Sequence, residues 1–312
     1  MKGKARASGA GTVINAIATL KGSAFGIELW THAEVELGED FRDVRSEIYV
    51  EGKREKDGKL VERCVQLVLK AFGEQRLGGF VRTKSEIPLA SGLKSSSAAA
   101  NAVTLATLDA LGVRVSWDTT ERVTSPFGLK ALPKLSDEIH PLDAIRIGVH
   151  AALDAGVSIT GAFDDACASM LGGFVVTNNK KTTLLKRVEK DARVLVLVPQ
   201  ERAFTADADV KRMRLLAPCV EIAFDLALKG EFERAMTLNG FLYCAALRFS
   251  HEPIMRALEC GVQGVSLSGT GPSYVALTSE ESIDALREIW SCIEQSKMIE
   301  TKVNNIPCFT EA

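Results

Sequence analysis

The stretch Pro88-Leu89-Ala90-Ser91-Gly92-Leu93-Lys94-Ser95-Ser96-Ser97-Ala98 decides how this chain is read. Before it, Gly79 to Ile87 has the composition of a strand, with Phe80 apolar and Arg82, Lys84 and Glu86 polar. After it, the Ala-rich run Ala98 to Leu111 reads as a helix. A Gly/Ser turn between strand and helix offers a row of backbone N–H groups at a helix N-terminus, a place that favours an anion, most often a phosphate. Serine is also a preferred N-cap, so the turn can equally serve as a cap, although three consecutive serines exceed what one cap needs. The pattern G-x-x-x-x-G-K-[ST] is not met, because the glycine before Lys94-Ser95 is Gly92. A Walker-type site is therefore disfavoured.

Working outward, Phe25 to Leu37 alternates as a half-buried strand, and Val44 to Val50 is expected to pair with it. Leu60 to Phe72 and Leu142 to Ala155 have helical spacing. Ser125 to Ile139, with two prolines and mixed charge, reads as a surface connection, and 122–140 could be a lid. Gly172-Gly173 turns into a strand, and Val194 to Val198 is a buried strand ending at Pro199. Helices fill 207–259. Val265 to Ser268 and Tyr274 to Leu277 are short strands, followed by a helix (Ser282 to Glu294) and a strand (Ile299 to Val303). That β–α–β–β–α–β order, with extra helices in its first crossover, fits a ferredoxin-like unit.

Three further segments could carry chemistry. Ser266-Leu-Ser-Gly269-Thr270-Gly271-Pro is either a plain hairpin turn or a glycine turn that approaches a ligand. Gly161-Ala-Phe-Asp164-Asp165 puts two carboxylates at a helix start, where they suit the macrodipole. An aspartate beside a phosphate site could instead take a proton from a hydroxyl or hold Mg2+. Ala7-Ser8-Gly9-Ala10-Gly11-Thr12 is a strand-ending loop or the wall of a pocket.

The composition, 46% apolar and 25% charged, is that of a globular protein, and a net charge of −2 gives no electrostatic case for a nucleic-acid partner. No apolar run suggests a membrane span, and Met1-Lys-Gly-Lys-Ala-Arg lacks a signal peptide's apolar stretch. Seven scattered cysteines without C-x-x-C spacing indicate neither a zinc site nor a disulfide framework. A cytoplasmic protein with reduced thiols is expected. The four histidines show no metal spacing.

Taken in order, these pieces resemble the GHMP kinase superfamily, whose P-x-x-x-G-L-x-S-S-A motif corresponds to Pro88–Ala98 and whose late glycine motif corresponds to Ser268-Gly-Thr-Gly-Pro272. Asp164-Asp165 followed by Leu171-Gly-Gly-Phe looks like its G-x-x-D segment. Within the superfamily, Ala7–Thr19, Lys21–Ile27, Gly92–Asn101 and Ile159–Ala166 are similar to the archaeal-type shikimate kinases. The resemblance implies an α+β, two-domain GHMP kinase fold. Residues 1–178 would form an ATP-binding domain of the ribosomal protein S5 domain 2-like kind, and residues 179–312 the ferredoxin-like domain. It implies ATP-dependent phosphorylation of the 3-hydroxyl of shikimate, in the biosynthesis of chorismate and aromatic amino acids. Homoserine kinase activity, or a nucleotide-binding homologue without catalysis, is the alternative.

By the same resemblance, Pro88, Leu89, Ala90, Ser91, Gly92, Leu93, Lys94, Ser95, Ser96, Ser97 and Ala98 wrap the ATP phosphates. Ser96 helps hold Mg2+, with Asp154 as an acidic ligand one residue off the family spacing, and Asp164 orients or deprotonates the acceptor hydroxyl. Ser8, Thr12, Asn15, Gly269, Thr270 and Gly271 shape the acceptor pocket. The lysine that mevalonate-type members keep after their first motif is missing, and Lys4, Lys21 and Lys94 are the substitutes to consider. Arg6, Lys21, Arg82 and Lys84 are candidates for the acceptor's carboxylate. Oligomeric state is not indicated.

Overall fold

A computed structural model describes residues 1–117, 137–200 and 208–310. The expected surface connection and lid lie almost wholly outside the described residues. The chain begins with strand β1 (Lys2–Ile14), then β2 (Lys21–Gly38), β3 (Val44–Val50), β4 (Lys53–Glu55), helix α1 (Lys59–Ala71), β5 (Gly78–Ser85) and α2 (Ser95–Ala110). It continues with β6 (Arg114–Val115), β7 (Glu138–Ile139), α3 (Pro141–Asp154), α4 (Phe163–Leu171), β8 (Phe174–Asn178) and β9 (Thr183–Val188). The remainder is β10 (Arg193–Pro199), α5 (Val210–Arg214), α6 (Ala217–Lys229), α7 (Phe232–Leu247), α8 (Glu252–Glu259), β11 (Gly264–Leu267), β12 (Tyr274–Thr278), α9 (Ile283–Ser291), β13 (Ser296–Lys302) and β14 (Phe309–Thr310).

The first sheet runs β14-β1-β2-β5-β3-β4, with β8 and β9 branching from β2. β2 makes this possible by changing partner along its length. Lys21 to Phe25 pair with β8, whereas Thr31 to Gly38 pair with β5. The expected pairing of Val44–Val50 with β2 is corrected here: β5 lies between them, and β3 pairs β5 in parallel. A parallel partner needs a crossover, and α1 supplies it. The N-terminal segment, read as a possible loop, is a long strand.

α2 is the helix at the centre of this half. Its alanines and threonines are buried on almost every side, as befits a helix surrounded by protein. Ala98, Ala102 and Ala106 are fully buried, and the short side chains let the helix lie close to Ala5, Ala7 and Ala10 of β1. Asn101, buried among them, donates from Nδ2 to the Ala166 carbonyl at 2.9 Å and so ties α2 to α4. This bond helps set the serine turn and the Asp164–Asp165 pair in relation to each other.

The second sheet is antiparallel in the order β11-β12-β10-β13. Numbered within the unit, that is second, third, first, fourth strand, the ferredoxin-like order expected from the sequence. Val194 to Leu197 form its buried centre, and Trp290 of α9 is fully buried, its Nε1–H donating to the Pro253 carbonyl at 3.0 Å. Phe25 of β2, Phe174 of β8 and Phe232 of α7 stack in series, with centroids 4.9 and 4.7 Å apart, and join the two halves through one core. A division between 178 and 179 cuts the β8–β9 hairpin; the chain passes from one sheet to the other at 189–192, and β14 returns to pair with β1. Among the described residues no helix is long and apolar enough to cross a membrane.

Candidate active site

The serine turn does not cap its own helix. The N-cap of α2 is Lys94, in the left-handed region (φ 65°, ψ 34°), and it makes no side-chain capping bond. The N–H groups of Ser95, Ser96 and Ser97 have no acceptor among the described residues. All three residues line a cleft of about 460 Å³. Open donors at the positive end of a helix are what an anion needs. Of the two readings of this turn, the geometry favours the anion.

Gly92 brings the late glycine turn against the serine turn. Its φ is +83°, and a Cβ there would fall 2.1 Å from the Ser268 carbonyl oxygen. In the absence of that Cβ, Ser268 Oγ donates to the Gly92 carbonyl at 2.9 Å. The Gly269 N–H donates to Thr12 Oγ1 at 2.8 Å, and Asn15 Nδ2 donates to the Gly269 carbonyl at 2.8 Å. The 268–272 segment is thus both the β11–β12 hairpin turn and a wall of the cleft, which Gly269 and Thr270 line.

Facing these turns are two buried carboxylates at the start of α4. Asp164 is only 3% exposed. Asn179 Nδ2 donates to its Oδ1 at 2.7 Å, and its Oδ2 lies over Gly22, where a Cβ would come within 2.3 Å of that oxygen. Burial pushes the Asp164 carboxyl up to about 7; the Asp165 charge adds to the rise, while Lys94 and the Asn179 amide oppose it. Asp165 is raised as well, chiefly by burial, and Lys94 acts against it. The Lys94 ammonium is 3.1 Å from Asp165 Oδ1, an ion pair without the alignment of a hydrogen bond. Lys94 is the only basic residue among the described residues that line the cleft. From Asp164 the cleft runs past the serine turn to a wall of Ile48, Val50, Leu60 and Val61, between β3 and α1.

The sequence pattern of the GHMP kinases N terminal domain matches residues 59–131, and that of the GHMP kinases C terminal matches 223–294. A shikimate kinase of Methanosarcina acetivorans is 54% identical over 305 residues, covering 97% of this chain and 95% of that protein. The chain belongs to the shikimate kinase family of GHMP kinases. A shikimate kinase of Halobacterium salinarum is 47% identical, covering 93% of each chain. The homoserine kinase of Cytophaga hutchinsonii has the same fold, with a TM-score of 0.70, 19% identity and coverage of 99% of this chain and 97% of that one.

Not every residue expected at this family's site lies on it. Ser8 is fully buried in β1 and donates to the Ser169 carbonyl at 3.1 Å, away from the cleft. Asp154 points the other way, to Arg63 of α1, with Oδ2 2.7 Å from the guanidinium. Leu93 and Ala98 are core residues behind the turn, and Pro88 and Ser91 are buried, with Ser91 Oγ donating to the Pro88 carbonyl at 2.7 Å. Gly271 lies against Phe249 rather than the cleft. Thr12 acts through Gly269. Of the candidate cations, Lys4 pairs with Glu34, Lys21 with Glu221 and Arg82 with Glu47. Arg6 lies over Trp30 and Phe309, and Lys84 is exposed. Sequence reasoning missed Asn179, Gly22 and the partnership of Lys94 with Asp165. For Gly22 there was a signal, the Lys21–Ile27 stretch; for Asn179 there was none.

Proposed function

We propose that this chain transfers the γ-phosphoryl group of ATP to the 3-hydroxyl of shikimate, giving shikimate 3-phosphate and ADP. The observation that carries the reading is the convergence, in one cleft, of an uncapped helix N-terminus, a partly buried lysine and a buried carboxyl near neutrality. The phosphates would lie along the N–H groups of Ser95 to Ser97, with Lys94 as the cation that replaces the missing family lysine. Such positive groups, fixed in place before reaction, oppose the charge that gathers on the transferred group.

Mg2+ prefers oxygen donors and commonly takes one or two from protein, the rest from phosphates and water. The Ser96 hydroxyl on the cleft fits that donor set. The ion, when bound there, would neutralise phosphate oxygens. Asp164 accepts the proton of the 3-hydroxyl as that oxygen bonds to phosphorus and the bond to the ADP oxygen breaks. A base with a pKa near the working pH suits that task.

A coupled ADP-release assay with shikimate, homoserine and mevalonate tests the proposal, with phosphorus NMR locating the phosphate on the product. Turnover with shikimate at the 3-position is expected. Turnover with homoserine or mevalonate instead, or ATP binding without turnover on any of the three, overturns it.

A further inference from the structure

Asp164 does not hold itself in place. Its backbone enters α4 just after Ala162, an N-cap in the left-handed region (φ 49°), and its side chain turns into the protein toward β2 and β8. Two features there match it. Gly22 of β2 has no side chain, and any Cβ would collide with the carboxylate. Asn179, immediately after β8, donates to Oδ1 at 2.7 Å and is itself 4% exposed. Asn179 turns its nitrogen to Asp164 and its oxygen away, the sense that suits the ionised carboxylate, which cannot donate. The oxygen meets Thr177, whose hydroxyl donates to Asn179 Oδ1 at 2.7 Å and is fully buried. The Asn179 main chain is fixed in turn, its N–H donating to the Leu20 carbonyl at 2.9 Å.

We infer that Asn179 is a positioning residue for the base, with Thr177 setting the sense of its amide, so that Oδ1 of Asp164 is engaged and Oδ2 is left for the acceptor's hydroxyl. This deepens the function proposed above and rests on it for the identity of the acceptor, but not for the state of Asp164. It also gives the Lys21–Ile27 stretch a use: Gly22 is the floor on which that carboxylate lies. Ionisable groups facing Asp164 are Asp165 on its own helix, Lys94 at the start of α2, Cys167 one turn along and Tyr243 from α7. Burial pushes Cys167 and Tyr243 upward, and it raises Asp165 as well.

A hydrogen bond to the charged form of an acid favours that form. Removing the amide in Asn179→Ala should therefore move the acid limb of the kcat–pH profile upward by roughly one pH unit. Thr177→Val should move it less, by a few tenths of a unit or so, and Thr177→Ser should restore the parent profile. Carbon-13 NMR of the Asp164 carboxyl, assigned with Asp164→Asn, gives the same titration without turnover. A kcat loss in Asn179→Ala with the acid limb and the carboxyl titration unmoved would show that Asn179 only fills space, and the inference falls. Should Asn179→Ala fail to fold, an unmoved carboxyl titration in Thr177→Val has the same consequence. A parent protein inactive on shikimate, with the carboxyl titration still shifted by Asn179→Ala, removes the acceptor and leaves the positioning role standing.

Discussion

The two ends of the cleft are built on different principles. The end proposed to hold the phosphates is built on the main chain of one contiguous turn, Ala90 to Ser97, against which the second turn packs through Ser268. The acid end is side chains from segments far apart in sequence: residue 22 on β2, residue 164 on α4 and residue 179 after β8. A main-chain site tolerates changes of side chain as long as the backbone path survives. A side-chain seat fails when one atom group changes, even if the fold does not.

The largest effect that would sharpen this contrast is at the acid end. Asp164→Asn should lower kcat by roughly 10²-fold or more and leave the KM for ATP nearly unchanged. Near-normal turnover would remove Asp164 from the reaction. The same variant separates activity from stability. The folded carboxyl titrates near 7, above the unfolded value of about 4, so the native state holds the proton more tightly. Its contribution to stability is complete below about pH 4 and is lost as pH rises through 7. An asparagine never bears that buried charge. The Tm of the variant should therefore exceed the parent's at pH 8 and approach it at pH 5, measured by calorimetry. A lower Tm at pH 8 would mean that the charge is better compensated than its burial implies.

At the phosphate end the sensitive position is one where the backbone itself cannot follow. Gly92→Ala adds a Cβ to a left-handed residue and drives it into the Ser268 carbonyl. The two turns must separate, so the KM for ATP should rise by about tenfold, with a smaller change in kcat and a fall in Tm. A KM unchanged in steady-state assays would show that the turns are not read together by the nucleotide.

The same contrast explains what could be seen in the sequence. The serine turn was legible because Pro88 to Ala98 carries its own strand, turn and helix start in consecutive residues. The ferredoxin-like half was legible because Val194–Val198 and the later short strands alternate with helical segments in order. The seat of Asp164 was not legible, since nothing local links Gly22 or Asn179 to residue 164; only the partner change in β2 brings them together. The pairing of β3 was misread for a related reason, because strand neighbours depend on the crossover through α1 and not on adjacency in sequence. Asp154 was chosen by spacing alone, and helix spacing does not tell which way the last residue of α3 points.

That residue provides the smallest prediction. Asp154 is about half exposed and pairs with Arg63, also partly exposed, a contact worth ~0–1 kcal/mol at a surface. Asp154→Asn should leave kcat within about twofold and the Mg2+ titration of activity unmoved. Ser96→Ala, by contrast, removes a hydroxyl from the cleft and should raise the Mg2+ concentration needed for half-maximal rate. The pair tests the placement of the ion independently of the base. If Asp154→Asn raised the Mg2+ requirement and Ser96→Ala did not, α3 would have to turn Asp154 away from Arg63 during turnover. The metal end of the cleft would then depend on a movement of that helix, rather than on the fixed main chain of the serine turn.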